Sequence, residues 1–168
     1  MMRAVWYEAF GKASDVLTYG EKPDPEPTDG DVLVRLKTSG LNPVDTKRRL
    51  GGRGDMPGPY VIPGFDGAGI IEAVGAGVDQ SRIGERVWLY NAQFGRTLGT
   101  SAELCALPAH LAVPMADSVS FDDGACLRGG LHLNDAYSVQ RGAAKAALAG
   151  EFSFYARPRG VSPYLALN

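Results

Sequence analysis

The sequence predicts a mainly β fold, a small barrel of short strands joined by turns, and three observations favour it. The 168 residues include 22 glycines and 11 prolines, a density that interrupts long helices. Apolar residues come in short runs, and at residues 31–38 they alternate with polar ones as on a half-buried strand. The runs follow one another at short intervals, which is typical of a small barrel. The length and the 45% hydrophobic composition fit one globular domain.

The first strand is predicted at residues 2–9, because Val5, Trp6 and Tyr7 are β-branched or aromatic types that pack on a pleated surface. Residues 21–30 carry a proline at every second position from 23 to 27, with acidic residues between them. This pattern favours an extended, solvated loop that cannot enter a central ladder.

The clearest strand is predicted at residues 31–38. One of its faces carries three apolar side chains, and Arg35 and Lys37 lie on the other face beside Leu33; the apolar three are Val32, Val34 and Leu36. Asn42 and Pro43 end this strand, and residues 44–50 then fit a single short helical turn before a glycine cluster.

Further along the chain, glycines bracket Ile70, Ile71 and Val74, so residues 64–78 are expected to form a bent strand pair. Two more short apolar runs, at residues 86–90 and 102–107, predict strands on either side of a glycine-containing loop. The barrel would then be built from these strands and the two before them.

The character of the chain changes after Cys126. Residues 135–149 could form a helix with Asp135 as its cap and Gly150 as its stop. Its apolar face is mostly alanine, and residues 151–168 show no clear period. We therefore divide the chain into residues 1–126, one domain, and residues 127–168, an atypical tail.

Charge and composition exclude several functions. The net charge is -2, the isoelectric point is near 5.7, and no dense run of basic residues occurs, so nucleic acid is not expected as a partner. No apolar stretch reaches the roughly 18 residues of a membrane span, and the N-terminus does not resemble a signal peptide. The expectation is a cytoplasmic protein that acts away from membranes.

Cysteines and histidines are too few for a metal site or a disulfide framework. Cys105 and Cys126 are expected to be reduced, half-buried thiols, and Cys126 is assigned no catalytic role. His110 and His132 lie far apart, and neither has a partner at metal-ligand spacing.

Three motifs stand out: L-N-P-V-D at 41–45, P-G-F-D-G-A-G-I-I-E-A-V-G-A-G-V at 63–78 and G-E-R-V at 84–87. Together they resemble the N-terminal domain of the quinone oxidoreductase, or zeta-crystallin-like, branch of the medium-chain dehydrogenase/reductases. The resemblance extends over residues 2–126 and implies a GroES-like β-barrel that covers an active-site cleft. In that family a following Rossmann domain holds most of the nicotinamide cofactor.

The resemblance implies the zinc-independent members of the family, which transfer hydride from NADPH to a quinone or an activated enone. Zinc-dependent relatives carry Cys where this chain has Asn42, and Gly-His-Glu where it has Gly64, Phe65 and Asp66. A phenylalanine ring cannot coordinate a metal, and a lone carboxylate lacks the partners that catalytic zinc needs.

The resemblance stops where the family's glycine-rich phosphate turn should begin. Residues 127–168 contain neither G-x-G-x-x-G nor G-x-x-G-x-x-G after a strand, and they are too few for a doubly wound sheet. The leading expectation is a truncated or frameshifted chain near Leu127, and a genuine short paralogue is the alternative. We expect weak or absent NADPH binding and turnover for this chain alone.

The resemblance also implies the candidate site residues. Asn42 would face the nicotinamide and the substrate, where its amide can donate to a carbonyl oxygen that gains charge; alternatively it satisfies local backbone groups. Asp45 would either cap the following helix or face the cofactor. Phe65 and Tyr90 would line the substrate pocket, although Tyr90 also fits a packed core aromatic. Lys47 is expected to be solvated.

The glycines of the second motif do not predict a phosphate loop. Gly64, Gly67, Gly69, Gly75 and Gly77 flank bent strands instead of opening a helix, and no Gly-Lys-Ser/Thr follows them. A structural use is therefore expected.

A function of a different class stays open. The chain could be a non-catalytic β-barrel module whose exposed cleft face binds a partner, either a longer relative or a second copy.

Overall fold

The computed structural model describes residues 1–52, 54–127 and 164–165. Within these residues strands dominate and the helices are short. In chain order the elements are β1 (Met2–Trp6), α1 (Ala13–Val16), β2 (Thr18–Lys22), β3 (Asp31–Gly40), α2 (Pro43–Arg49), β4 (Asp66–Val74), a 3-10 turn (Gln80–Arg82), β5 (Arg86–Leu89), β6 (Leu104–Pro108), a 3-10 turn (Ala109–Leu111), β7 (Ala112–Pro114), α3 (Phe121–Gly124) and β8 (Tyr164–Leu165). The mainly β fold is confirmed.

The strands form two antiparallel sheets. β1 and β2 pair as a two-stranded sheet, and the larger sheet has the order β6-β3-β4-β5-β7, with β8 paired to the end of β3. β3 is the longest strand and lies between β4 and β6. The alternation predicted for it is confirmed, because its apolar face of Val32, Val34 and Leu36 is buried.

The core divides into three apolar clusters. The largest lies under β3, β4, β5 and β6, and a second packs β1 against Ile62, Ala102 and Leu104. The third gathers around Trp88 and joins β5 to the region of α3. Thr38 at the end of β3 also bonds this region, because its hydroxyl donates to Asp122 at 2.8 Å.

The prediction of a bent strand pair at residues 64–78 is wrong. This stretch holds one strand, β4, and the bends appear instead as two register shifts in its pairing with β3. Gly69 explains how the strands approach so closely, since a Cβ there would collide with the carbonyl oxygen of Arg35. The glycines mark irregular pairing within one long strand.

Other differences concern short elements. β2 was not predicted, and its last two residues fall in the stretch 21–30 that was expected as loop; its residues are largely exposed and give no apolar face. The three-residue β7 and the four-residue α3, which Ser120 caps through the backbone N–H of Asp123, are too short for a periodic signal. The helix expected at residues 135–149 lies outside the described residues.

Two of the candidate residues, Asn42 and Asp45, lie just beyond the end of β3. β3 stops at Gly40, α2 begins at Pro43, and β4 begins at Asp66, whose register partner is Gly40. Two long strands and a helix start therefore meet around Asn42. None of the helices in the described part of the chain has the length and apolar character to cross a bilayer.

Candidate functional site

Asn42 stands at the start of α2 with its backbone held by Asp45. The Asn42 backbone N–H donates to Oδ2 of Asp45 at 2.7 Å, and the Asp45 N–H donates to the Asn42 carbonyl at 3.0 Å. Pro43 occupies the first helical turn, where its missing N–H costs nothing. Asp45, only 8% exposed, thus makes the capping contact that was one of its two predicted roles.

The side chain of Asn42 bonds a second carboxylate. Its Nδ2 donates to Oδ2 of Asp66 at 2.7 Å, across 24 positions of sequence. Asp66 is the first residue of β4 and is 2% exposed, so this is a charge-assisted bond in a nearly dry setting. The predicted alternative, in which the Asn42 side chain serves nearby backbone groups, also has support, because the capping box includes a contact between that side chain and the Asp45 backbone N–H.

One hydroxyl group bonds the backbone of Asp66, and a second hydroxyl group bonds the first. The Thr100 hydroxyl donates to the Asp66 carbonyl at 2.7 Å and lies 2.8 Å from the hydroxyl of Ser39. Because Thr100 has a single hydroxyl hydrogen and gives it to Asp66, the Ser39 hydroxyl donates to Thr100. All three residues are buried. We call Ser39, Asn42, Asp45, Asp66 and Thr100 the polar cluster.

Sequence reasoning missed Ser39, Asp66 and Thr100 as members of this cluster. Thr100 lies 61 positions from Ser39 and 34 from Asp66, so no local pattern connects them. Gly64 offers a partial signal for Thr100. Its φ of +111° favours glycine, and a Cβ at this position would stand only 2.9 Å from the Thr100 backbone nitrogen. The structural interpretation of the motif's glycines is confirmed at this position and at Gly69.

Phe65 and Tyr90, the predicted pocket residues, lie in different surroundings. Phe65 is 3% exposed, directly precedes Asp66, and its carbonyl accepts the Ala92 N–H at 2.9 Å. Tyr90 packs its ring on Trp88 at 5.7 Å and donates its hydroxyl to the His110 carbonyl at 3.3 Å. The structure therefore places Phe65 beside the polar cluster and Tyr90 in the third core cluster.

The remaining candidate chemical groups are Lys47 and the two cysteines. Lys47 is exposed, as predicted. Cys126 is half-buried, but Cys105 is fully buried, and this burial raises the pKa of its thiol to about 11. Cys105 is therefore a neutral thiol near pH 7. Within residues 1–52 and 54–127, no three His, Cys, Asp or Glu side chains group as metal ligands.

The described chain is thus an antiparallel β domain with buried polar side chains gathered at the start of a short helix. The family model "Alcohol dehydrogenase GroES-like domain" matches residues 28–117, more than half of the chain. The chain belongs to the alcohol dehydrogenase GroES-like domain family.

Relatives place the chain more narrowly within that family. It is 35% identical over 127 residues to the mouse synaptic vesicle membrane protein VAT-1 homolog-like, covering 74% of this chain and 28% of the relative. It is 32% identical to rat quinone oxidoreductase, covering 76% and 37%. The match thus spans between about a quarter and just over a third of these relatives' length.

A solved structure shows the same similarity. The crystal structure of a putative NADPH:quinone reductase from Bacillus thuringiensis is similar with a TM-score of 0.67 and 30% identity, covering 75% of this chain and 37% of that one. The resemblance to the N-terminal GroES-like domain of the quinone oxidoreductase branch is confirmed.

Proposed function

We propose that this chain is the GroES-like catalytic portion of a zinc-independent, NADPH-dependent quinone or enone oxidoreductase. The observation that carries the proposal is the amide of Asn42, held at the junction of β3, α2 and β4 by a bond to a buried carboxylate. Family membership and the reductase relatives support it. The substrate would be a small quinone or enone, and the expected location is the cytoplasm.

Asn42 would act on the substrate carbonyl. NADPH, when bound, supplies the hydride, and the substrate takes up that hydride and a proton. A carbonyl oxygen gains negative charge as hydride arrives, so a hydrogen bond aimed at it stabilises the transition state more than the ground state. The Asn42 amide has two hydrogens and gives one to Asp66, which leaves the second for such an oxygen.

The described residues fit only the reacting end of NADPH. Asn42 and Asp45 offer polar groups suited to a nicotinamide, and Phe65 and Tyr90 would line the substrate pocket. A phosphate cradle needs a glycine-rich turn that opens a helix, and in the described chain the longest helix, α2, has seven residues. Most of the cofactor's binding energy would therefore come from elsewhere, and the chain alone would turn over weakly or not at all.

A titration of the isotopically labelled chain tests the role of Asn42. The probe is duroquinone, whose ring positions are all methylated, so that addition of the Cys126 thiol is suppressed. We expect duroquinone to shift the Asn42 side-chain amide resonances, with the effect lost in Asn42→Ala and kept in Thr46→Ala, an exposed change on the same helix. Wild-type Asn42 resonances that do not respond would contradict the proposed site.

A rate measurement tests the cofactor part of the proposal. Purified chain mixed with NADPH and duroquinone should oxidise NADPH little or no faster than a protein-free control. Oxidation at an ordinary enzymatic rate, roughly 1–1000 turnovers per second, would refute the expectation of weak or absent turnover for this chain alone.

The binding-module alternative rests on exposed apolar side chains. Phe94 is 69% exposed, and Leu41 and Leu50, on either side of α2, are 51% and 54% exposed. Such residues would favour association with a second copy or a partner chain. A monodisperse monomer over a wide concentration range would argue against self-association.

A further inference from the structure

We infer that Asp66 is a positioning residue that decides which end of the Asn42 amide is presented to a substrate carbonyl. The inference deepens the proposed function and rests on it. Asp66 would not touch the substrate. Its part would be to turn the Asn42 side chain so that an N–H, not the amide oxygen, is offered.

The need for such a residue follows from the symmetry of the amide. An Asn side chain carries an acceptor oxygen and a donor nitrogen of nearly equal size, so a rotation of half a turn exchanges them. Only a partner of defined polarity fixes the choice. A carboxylate accepts hydrogen bonds and donates none, so it attracts Nδ2 and repels Oδ1.

Asp66 can impose this choice because it is itself immobilised. It is 2% exposed, its backbone pairs with Gly40 at the start of β4, and its carbonyl accepts the Thr100 hydroxyl. Thr100 is in turn held by Ser39, three positions before Asn42 on the same strand and loop. Asn42 and Asp66, the two partners of the side-chain hydrogen bond, are therefore both anchored at the same edge of the sheet.

Asp45 and Asp66 bond different groups of Asn42. Asp45 takes the backbone N–H, which fixes where the residue sits at the helix start, and Asp66 takes one side-chain N–H, which fixes how the amide is turned. The remaining Nδ2 hydrogen then defines the class of ligand: a molecule with a carbonyl acceptor, such as a quinone or an enone. A ligand that offers only hydrogen-bond donors would face this N–H, which is also a donor, and could not bond it.

The inference is tested with the full chain, labelled with nitrogen-15, as wild type and as Asp66→Asn. The matched control is Asp122→Asn, which removes another carboxylate that accepts a side-chain bond from β3, that of Thr38. We expect Asp66→Asn to move the Asn42 side-chain amide resonances and to weaken duroquinone binding about tenfold, the effect of losing one oriented hydrogen bond. Asp122→Asn should do neither. Unchanged Asn42 resonances and unchanged affinity in Asp66→Asn would overturn the inference.

A second measurement needs no variant and covers the case in which Asp66→Asn fails to fold. In doubly labelled wild-type chain, a scalar coupling through the hydrogen bond should connect Nδ2 of Asn42 with the carboxylate carbon of Asp66. Its absence would overturn the inference. If the coupling is present but duroquinone leaves Asn42 unaffected, the proposed function fails while the orientation of the amide stands, so the two failures are distinguishable.

Discussion

At the scale of single residues, the end of β3 is organised by buried polar groups that bond one another. Ser39, Thr100 and Asp66 are each no more than 4% exposed, and each finds a partner within the polar cluster. A buried polar group that loses its partner costs far more than an exposed one, because water cannot replace the missing bond. Thr100 is the member that touches both other residues.

Replacing Thr100 with Val should destabilise the chain by about 1–3 kcal/mol, the cost of leaving buried polar groups unpaired. The substitution keeps the shape of the side chain and removes only the hydroxyl that contacts Asp66 and Ser39. Urea unfolding measures the effect. The control is Thr18→Val, an exposed position on β2, for which little change is expected. Equal effects at the two positions would contradict the role given to Thr100.

At the scale of elements, β1 is joined to the chain before β6 by backbone bonds and an ion pair. Val5 donates its N–H to the Ser101 carbonyl at 2.9 Å, and Glu103 donates its N–H to the Arg3 carbonyl at 3.0 Å. The Arg3 backbone N–H donates to Oε2 of the Glu103 side chain at 2.8 Å. The Arg3 guanidinium also bonds the Glu103 carboxylate, with Nε to Oε1 at 2.7 Å. The two-stranded sheet is in this way connected to the larger one.

The ion pair makes a pH-dependent contribution that Glu103→Gln should remove. The backbone N–H of Arg3, and then its guanidinium, lower the pKa of Glu103 below the ordinary value of 4.5. A lowered folded-state pKa means that stabilisation is complete above about pH 4.5 and is lost as the pH falls through the folded-state pKa. Because Arg3 is half exposed, solvent screening keeps this contribution small.

Urea midpoints of wild type and Glu103→Gln, measured from pH 7 down to about pH 3, check this expectation. The difference in stability should be present at neutral pH and shrink in acid. Glu26→Gln, in the proline-rich loop, serves as a control for loss of one surface charge. A difference that grows as the pH falls would contradict the sign derived from the pKa.

At the scale of the whole molecule, the two sheets should unfold together. Backbone bridges join Ala4 to Ala102 and Tyr7 to Val61, so the small sheet shares bonds with the chain segments that flank the large one. The cluster under β1 also includes Leu104, the first residue of β6. The small sheet therefore buries Met2 and Ala4 against residues that belong to or flank the large sheet.

The two tryptophans can report on this cooperativity. Trp6 packs against the cluster under β1, and Trp88 is the centre of the third cluster, so each observes a different part of the molecule. In Trp6→Phe and Trp88→Phe, the remaining tryptophan's fluorescence and the far-ultraviolet dichroism should give one common urea midpoint within each variant. Two separate midpoints in either variant would show that the sheets unfold independently.

Features with a local cause could be predicted from the sequence. The alternation along β3 predicted its buried face, because side chains on a strand point to opposite sides in turn. Asn42 and Pro43 predicted a strand end and helix start within one residue of the observed α2. The motifs around Asn42 and Gly64 carried enough information to indicate the family, which the comparisons confirm.

Only the tertiary structure decided which polar groups meet. Asn42 and Asp66, and Ser39 and Thr100, are contacts across 24 and 61 positions, and no periodicity within either segment encodes them. The same holds for β4: its glycines indicated a bend, but whether the bend made two strands or one depended on how closely β3 approaches. Sequence patterns record the preferences of neighbouring residues, whereas these features arise from the packing of distant strands.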